Sequence, residues 1–288
     1  MSAASAPPPA GSAGLRLVGL TALVMVAFAA NSVLNRMALE GGAGASSFAL
    51  IRLISGAALL GLLVSLRGEA RAQRPTRAVW PGVATLTLYI LGFSFAYRTL
   101  PAGIGALILF GGVQITMFAG AVLAREPLPP LRILGAAIAF AGLAWLMGPG
   151  AERPDPLGAA LMLAAALGWG LFSLIGRKRG APLQTMSASF LWSVPLGALA
   201  FAFWPDATDL RGVILAVIAG AVTSGLGYAL WYTVLPQLRA ATAAVVQLTV
   251  PIIAMAGGML FLAEPLTLRF VLSALLVLGG VALSLRAR

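Results

Sequence analysis

Apolar runs of about 18 to 23 residues succeed one another along almost the whole chain, each about long enough to cross a ~30 Å hydrocarbon core as one helix. Lipid offers no partner to backbone N–H and C=O groups, so a chain immersed in it folds as helices or as a closed barrel. Runs of this length select helices. With 60% of 288 residues hydrophobic and only 9% charged, too little polar surface remains for a water-soluble globule. We therefore read an all-α integral membrane protein.

Ten spans are expected, at 15–35, 47–66, 79–97, 101–123, 131–148, 157–175, 184–204, 212–234, 240–262 and 268–285. Residues 1–14, all small or proline after Met1, lack the apolar mass to order themselves and read as a disordered tail. A signal peptide ending near Ala27-Phe28-Ala29 is the rival reading of the first span, but its removal would leave the first half one helix short.

The net charge of +11 is spread singly or in short clusters between apolar runs, which argues for membrane topology and against a nucleic-acid face. With a cytoplasmic N-terminus, Arg16, Arg67, Arg71, Arg74, Arg77, Arg125, Arg132, Arg177, Lys178, Arg179, Arg239, Arg286 and Arg288 gather on the inner side. Arg36, Arg98, Arg153, Arg211 and Arg269 fall outside. The bias puts both termini in the cytoplasm.

Two turns repeat. Arg125-Glu126-Pro127-Leu128 follows the fourth span and Ala263-Glu264-Pro265-Leu266 follows the ninth. A shift of 138 residues pairs those spans, and a shift of 141 pairs Ser32 and Arg36 with Ser173 and Arg177. An odd number of spans per half makes the second half start from the opposite side, so the expected domains are two inverted five-helix repeats, 15–148 and 157–285. Inverted repeats build one midplane site that opens to either side in turn.

The Glu-Pro-Leu turns, Trp169-Gly170 near the start of the second repeat and Ile51-Arg52-Leu53 early in span two together resemble the drug/metabolite transporter superfamily, in its ten-helix EamA-type branch. Where that family carries a first-repeat Trp-Gly pair, this chain has Ala29-Ala30-Asn31-Ser32, so only Trp169 is carried over. The resemblance implies an exporter of amino acids, aromatic ones among them, or of similar small metabolites across a bacterial inner membrane.

Polar groups within spans mark candidate substrate contacts. Gln114 and Gln247, near the middles of spans four and nine, can orient a zwitterion or simply bridge helices. Tyr89, Trp169 and Tyr228 stand on aromatic helix faces that line a cavity or pack helices, while Trp80, Trp145, Trp204, Tyr97 and Tyr232 near span ends read as interfacial anchors. Asn31 and Asn35 share a face of span one. Arg52 either captures a substrate carboxylate or plays a structural part, snorkelling to the outer surface. Pro195 and Pro251 interrupt helices and are candidate hinges, and the pairs Gly111-Gly112 and Gly257-Gly258 allow close helix contact.

The chain has no Cys and no His, which removes disulfides, Cys/His metal sites and histidine relays. No cofactor, metal or catalytic constellation is expected. All eight carboxylates lie in loops or at span ends, where Glu126 and Glu264 would cap or position helices. Without a midplane carboxylate, transport without obligatory proton coupling is the expectation, and a proton-coupled multidrug or metabolite exporter the alternative.

Overall fold

The computed structural model describes residues 10–68, 77, 79–123, 129–150, 153–177, 182–234, 237–238 and 246–286, and among them every regular element is helical. In chain order these are α1 (Ala10–Glu40), α2 (Ala45–Leu66), α3 (Trp80–Ala96), α4 (Ala102–Leu123), α5 (Pro130–Met147), α6 (Pro156–Arg177), α7 (Pro182–Phe203), α8 (Leu210–Val234), α9 (Val250–Leu262) and α10 (Leu268–Arg286). Seven are long and apolar enough to cross a membrane, and α3, α9 and α10 are shorter apolar helices. Their outer faces carry bare apolar side chains such as Phe140, Phe261 and Leu275, as lipid-facing surfaces require.

Two boundaries and one internal stretch depart from the sequence reading. Helix α1 begins at Ala10, inside the stretch expected to be a tail. Alanine, the best helix former, lets the first span extend backwards. Helix α9 starts only at Val250, with Pro251 in its first turn, where proline's missing N–H costs nothing. Residues 246–247 are helical and 248–249 form a turn, so Pro251 stands in the first turn after a break in the span. Pro195 does lie inside α7. Finally, α8 widens into π-helix over Ile218–Leu226, a stretch containing Gly220 and Gly225. The Glu126 turn lies outside the described residues.

Glycines set the helix spacing around the core. A Cβ on Gly168 would stand 2.7 Å from both the Thr85 carbonyl oxygen and the Tyr89 amide nitrogen, and one on Gly92 would stand 2.8 Å from the Leu161 carbonyl, so α3 and α6 touch backbone to backbone. Gly220 brings α8 equally close to α2, where a Cβ would lie 2.8 Å from the Arg52 Cα. Gly112 admits Ala166 of α6 against α4, and Gly257 admits Val33 of α1 against α9. Away from this core, α5 and α10 pack on one another through Gly135, Gly142 and Gly280.

One end of the bundle is tied by carboxylates, each at a helix N-terminus, where a negative oxygen satisfies unpaired N–H groups and meets the positive end of the dipole. Asp155 caps α6 through Gly158 N (2.7 Å), and Asp209 caps α8 through Gly212 N (2.8 Å). Two other caps cross from the second half of the chain to the first. Asp206 accepts from Ser46 N and Ser47 N at 2.9 Å at the start of α2, and Glu264 accepts from Ala102 N at 2.7 and 2.9 Å at the start of α4. Ala263, at φ +51°, folds the chain back so that Glu264 N bonds the Gly258 carbonyl, turning the carboxylate towards α4.

Candidate functional site

The buried centre is an aromatic chamber lined by Phe28, Asn31, Tyr89, Phe93, Leu109, Phe110, Trp169 and Tyr228. Gly168 lets α6 press against α3 and so seats the Trp169 ring 5.0 Å from that of Tyr89. Trp169 also lies 4.8 Å from Tyr228 and 6.1 Å, edge-on, from Phe28. The Tyr228 hydroxyl donates to the Tyr89 hydroxyl at 3.0 Å, joining α8 to α3 across the middle of the molecule. The rings close on about 10 Å³ of free space, room for one water, so nothing larger fits unless the walls part.

One wall is polar. Arg52 is fully buried, its Nε donating to Ser224 Oγ at 3.0 Å and its Nη2 to the hydroxyls of Tyr89 and Tyr228 at 3.1 and 3.3 Å. Its guanidinium carbon sits 4.9 Å from the Phe93 ring centre and 5.4 Å from that of Tyr89, within cation–π range. The π segment of α8 makes this possible. It presents Thr223 and Ser224 together to Asn31 Oδ1, at 2.6 and 3.2 Å, so Arg52, Ser224, Asn31 and both tyrosines form one network. The snorkelling reading of Arg52 is thus overturned. Its distance along the helix axis is short, but its azimuth points it inward, where hydroxyls take up its N–H groups.

A polar stripe continues along α1 from this network to the capped end. Ser32 and Asn35 are buried, Asn35 Nδ2 donates to Ser94 Oγ at 3.1 Å, and Arg36 donates to the Tyr97 and Arg98 carbonyls at 3.1 and 3.2 Å. Arg36 Nε then lies 3.7 Å from Glu40 and 4.0 Å from Glu264. Burial pushes the Glu264 carboxyl above the usual glutamate range, a shift that the amides of Ala102 and Gly103 and the charge of Arg36 only partly offset. Burial also pushes Asp206 up, but there the Ser46 and Ser47 hydrogen bonds win and hold it below the usual aspartate range. Beyond the stripe, a cleft of about 700 Å³ opens between the α1–α2 turn, Phe95, Arg98 and the segment Phe203–Ala207.

Of the residues proposed from sequence, Asn31, Tyr89, Trp169 and Tyr228 line the chamber, and Arg52 stands at its wall. Gln114 and Gln247 are half-buried and lie outside the lining, Gln247 in a helical stretch just before the 248–249 turn that precedes α9. Tyr97, expected at the interface, is fully buried, with its hydroxyl on the Ala102 carbonyl and its ring 4.7 Å from Phe93. Trp80, Trp145 and Trp204 are exposed. Phe28 was missed. The 141-residue shift that pairs Ser32 with Ser173 also pairs Phe28 with Trp169, so the signal was present.

Comparison with known proteins agrees with this architecture. The model of the EamA-like transporter family matches residues 156–286. An uncharacterized protein of Pseudomonas aeruginosa is 45% identical over 276 residues, covering 95% of this chain and 96% of its own. A probable amino-acid metabolite efflux pump of Escherichia coli is 25% identical over 217 residues, 68% of this chain and 73% of its own. One solved crystal structure superposes with a TM-score of 0.68 at 19% identity, over 92% of this chain and 96% of that one, which speaks to fold alone. The family match to α6–α10, the near full-length relative and the helical bundle around a buried aromatic chamber agree, and the chain belongs to the EamA-like transporters of the drug/metabolite transporter superfamily.

Proposed function

We propose that the protein exports amino acids or similar amphipathic metabolites across a bacterial inner membrane by alternating access, down the substrate's own gradient. The observation that carries this reading is the chamber itself, walled by aromatics for an apolar body and edged by the Arg52, Asn31 and tyrosine network for a polar head. The similarity to a probable amino-acid metabolite efflux pump points the same way.

Alternating access is supported by the packing. Exchanging helices 1 to 5 with 6 to 10 maps the observed neighbours onto one another: α2 on α7, α4 on α9 and α5 on α10 map onto themselves, α3 on α6 becomes α8 on α1, and α4 on α6 becomes α9 on α1. The hydroxyl-bonded Tyr89 and Tyr228 and the pair Phe28 and Trp169 follow the same exchange. This exchange supports a reading as two inverted repeats that face a shared site. The crossing caps of Asp206 and Glu264 join one repeat to the other on the side that the charge bias places outside, so they close the outer gate. Opening it parts them and exposes the α1 stripe.

Proton coupling needs a carboxylate or comparable carrier near the midplane. Among the described residues Asp155, Asp206, Asp209 and Glu264 cap helix N-termini and Glu40 ends α1 beside Arg36, so the carboxylates sit at helix ends. The test is uptake of a labelled amino-acid panel and a cationic dye into proteoliposomes, with and without a pH gradient. Gradient-independent amino-acid flux that falls in Trp169→Leu supports the reading. Dye flux driven only by the pH gradient overturns it in favour of a proton-coupled multidrug exporter.

A further inference from the structure

We propose that Arg52 makes the chamber a receptor for a carboxylate, so that the substrate must carry one and a purely cationic compound is refused. The proposal rests on the chamber being the transport site. Its basis is a count of donors and acceptors. A guanidinium only donates, and Arg52 spends its Nε on Ser224 and its Nη2 on the hydroxyls of Tyr89 and Tyr228. Its Nη1 is buried without a hydrogen-bond partner. Each tyrosine oxygen accepts from Arg52, and one hydroxyl proton is used in the bond between the two tyrosines. Whichever way that bond runs, the other hydroxyl proton has no acceptor within the triad. Asn31 has its oxygen taken by Thr223 and Ser224, which leaves its NH₂ pair to offer. The wall is therefore rich in donors and short of acceptors, and an ionised carboxylate supplies acceptors only.

Charge gives the same answer. Among the described residues the ion pairs are those of Arg36 with Glu40 and Glu264, and Arg52 has none. Its polar neighbours are neutral hydroxyls, so its charge stays uncompensated in a low-dielectric core, where a carboxylate bound nearby gains the most.

Symmetry separates this role from a structural one. The chamber repeats its tyrosines and its Phe28/Trp169 pair from each half, yet α7, the counterpart of α2, carries no charged residue. Ser193, which the 141-residue shift places opposite Arg52, is satisfied by the Ser189 and Val83 carbonyls. The same scaffold thus closes its second half without a cation, which leaves Arg52 free for recognition.

The test is calorimetric titration of purified full-length protein with three probes that share a phenyl body: 3-phenylpropionate, phenylalanine and phenethylamine. The expected result is that the two carboxylates bind at least tenfold more tightly than phenethylamine, and that Arg52→Met and Tyr89→Phe each shrink this ratio. Tyr89→Phe keeps the ring and so reports even where Arg52→Met fails to fold. Equal binding of all three overturns the carboxylate receptor while leaving the chamber as the site. Binding of none to folded protein overturns both.

Discussion

Removing a crossing cap should open the outer gate by an amount the structure allows us to work out. In Asp206→Ala, the N–H groups of Ser46 and Ser47 lose a carboxylate that now holds both at 2.9 Å, and in Glu264→Ala the start of α4 loses a carboxylate whose two oxygens both reach Ala102 N. A side-chain cap is worth ~1 kcal/mol. At Asp206, whose carboxyl is held below the usual range, the charge at a partly buried helix N-terminus adds about 0.5–1 kcal/mol, whereas the raised Glu264 carboxyl gains nothing from its charge. Because these contacts join the two halves of the chain, on the proposed gating the loss falls on the outward-closed state, and about 1.5–2 kcal/mol at Asp206 corresponds to roughly a tenfold to thirtyfold rise in the open fraction, about 1 kcal/mol at Glu264 to roughly a fivefold one. The chain's lack of cysteine makes the measurement direct. A single Ser32→Cys places a thiol on the buried α1 stripe, and its rate of modification by a membrane-impermeant maleimide added outside reports opening. Asp206→Ala should speed labelling about tenfold, Glu264→Ala about fivefold, and the double variant more. Unchanged rates in both folded single variants would refute the assignment of the gate.

Glu264 adds a pH dependence with a definite sign. Its carboxyl is raised in the closed state, so the ionised form weighs against closure, and closure strengthens as external pH falls through that raised value towards the ordinary glutamate value of about 4.3. Ser32→Cys labelling should slow over this window, and Glu264→Gln should abolish the change. Gly168→Val should drive a side chain into the α3 backbone at Thr85 and Tyr89 and destabilise by about 1–3 kcal/mol, read as a lower Tm with loss of transport. Gly142→Leu, against Leu276 and Val277 on the remote α5–α10 seam, should lower Tm comparably while leaving the substrate Kd of folded protein unchanged. Thr223→Val removes a buried donor to Asn31 and should cost about 1–2 kcal/mol in denaturant titration.

Helix positions were legible because spanning lipid demands a long apolar run, a local property of the chain. The start of α9 was not, since mainly apolar residues run on through the 248–249 turn and only Pro251 marks the first turn of the helix after it. Caps divide in the same manner. Asp155 and Asp209 immediately precede helices and follow a local rule, whereas Asp206 and Glu264 cap helices from 159 or more residues away and depend on how the halves dock. Tyr97 was misplaced, and two readings of Arg52 stayed open, for one reason: distance from a helix end says how deep a residue sits along the axis but not which way it faces. The π segment of α8 depends on tertiary contacts, with Gly220 against α2 and Thr223 and Ser224 against Asn31, and no local pattern announces it.

The central claim is that two similar halves carry substrate through one closed chamber, and counterflow tests it most directly. Proteoliposomes loaded with unlabelled phenylalanine, diluted into labelled phenylalanine with no pH gradient, should show a transient overshoot of internal label that is reduced in Trp169→Leu. Monotonic equilibration without overshoot, as through an open pore, or no entry of label at all, would contradict the account.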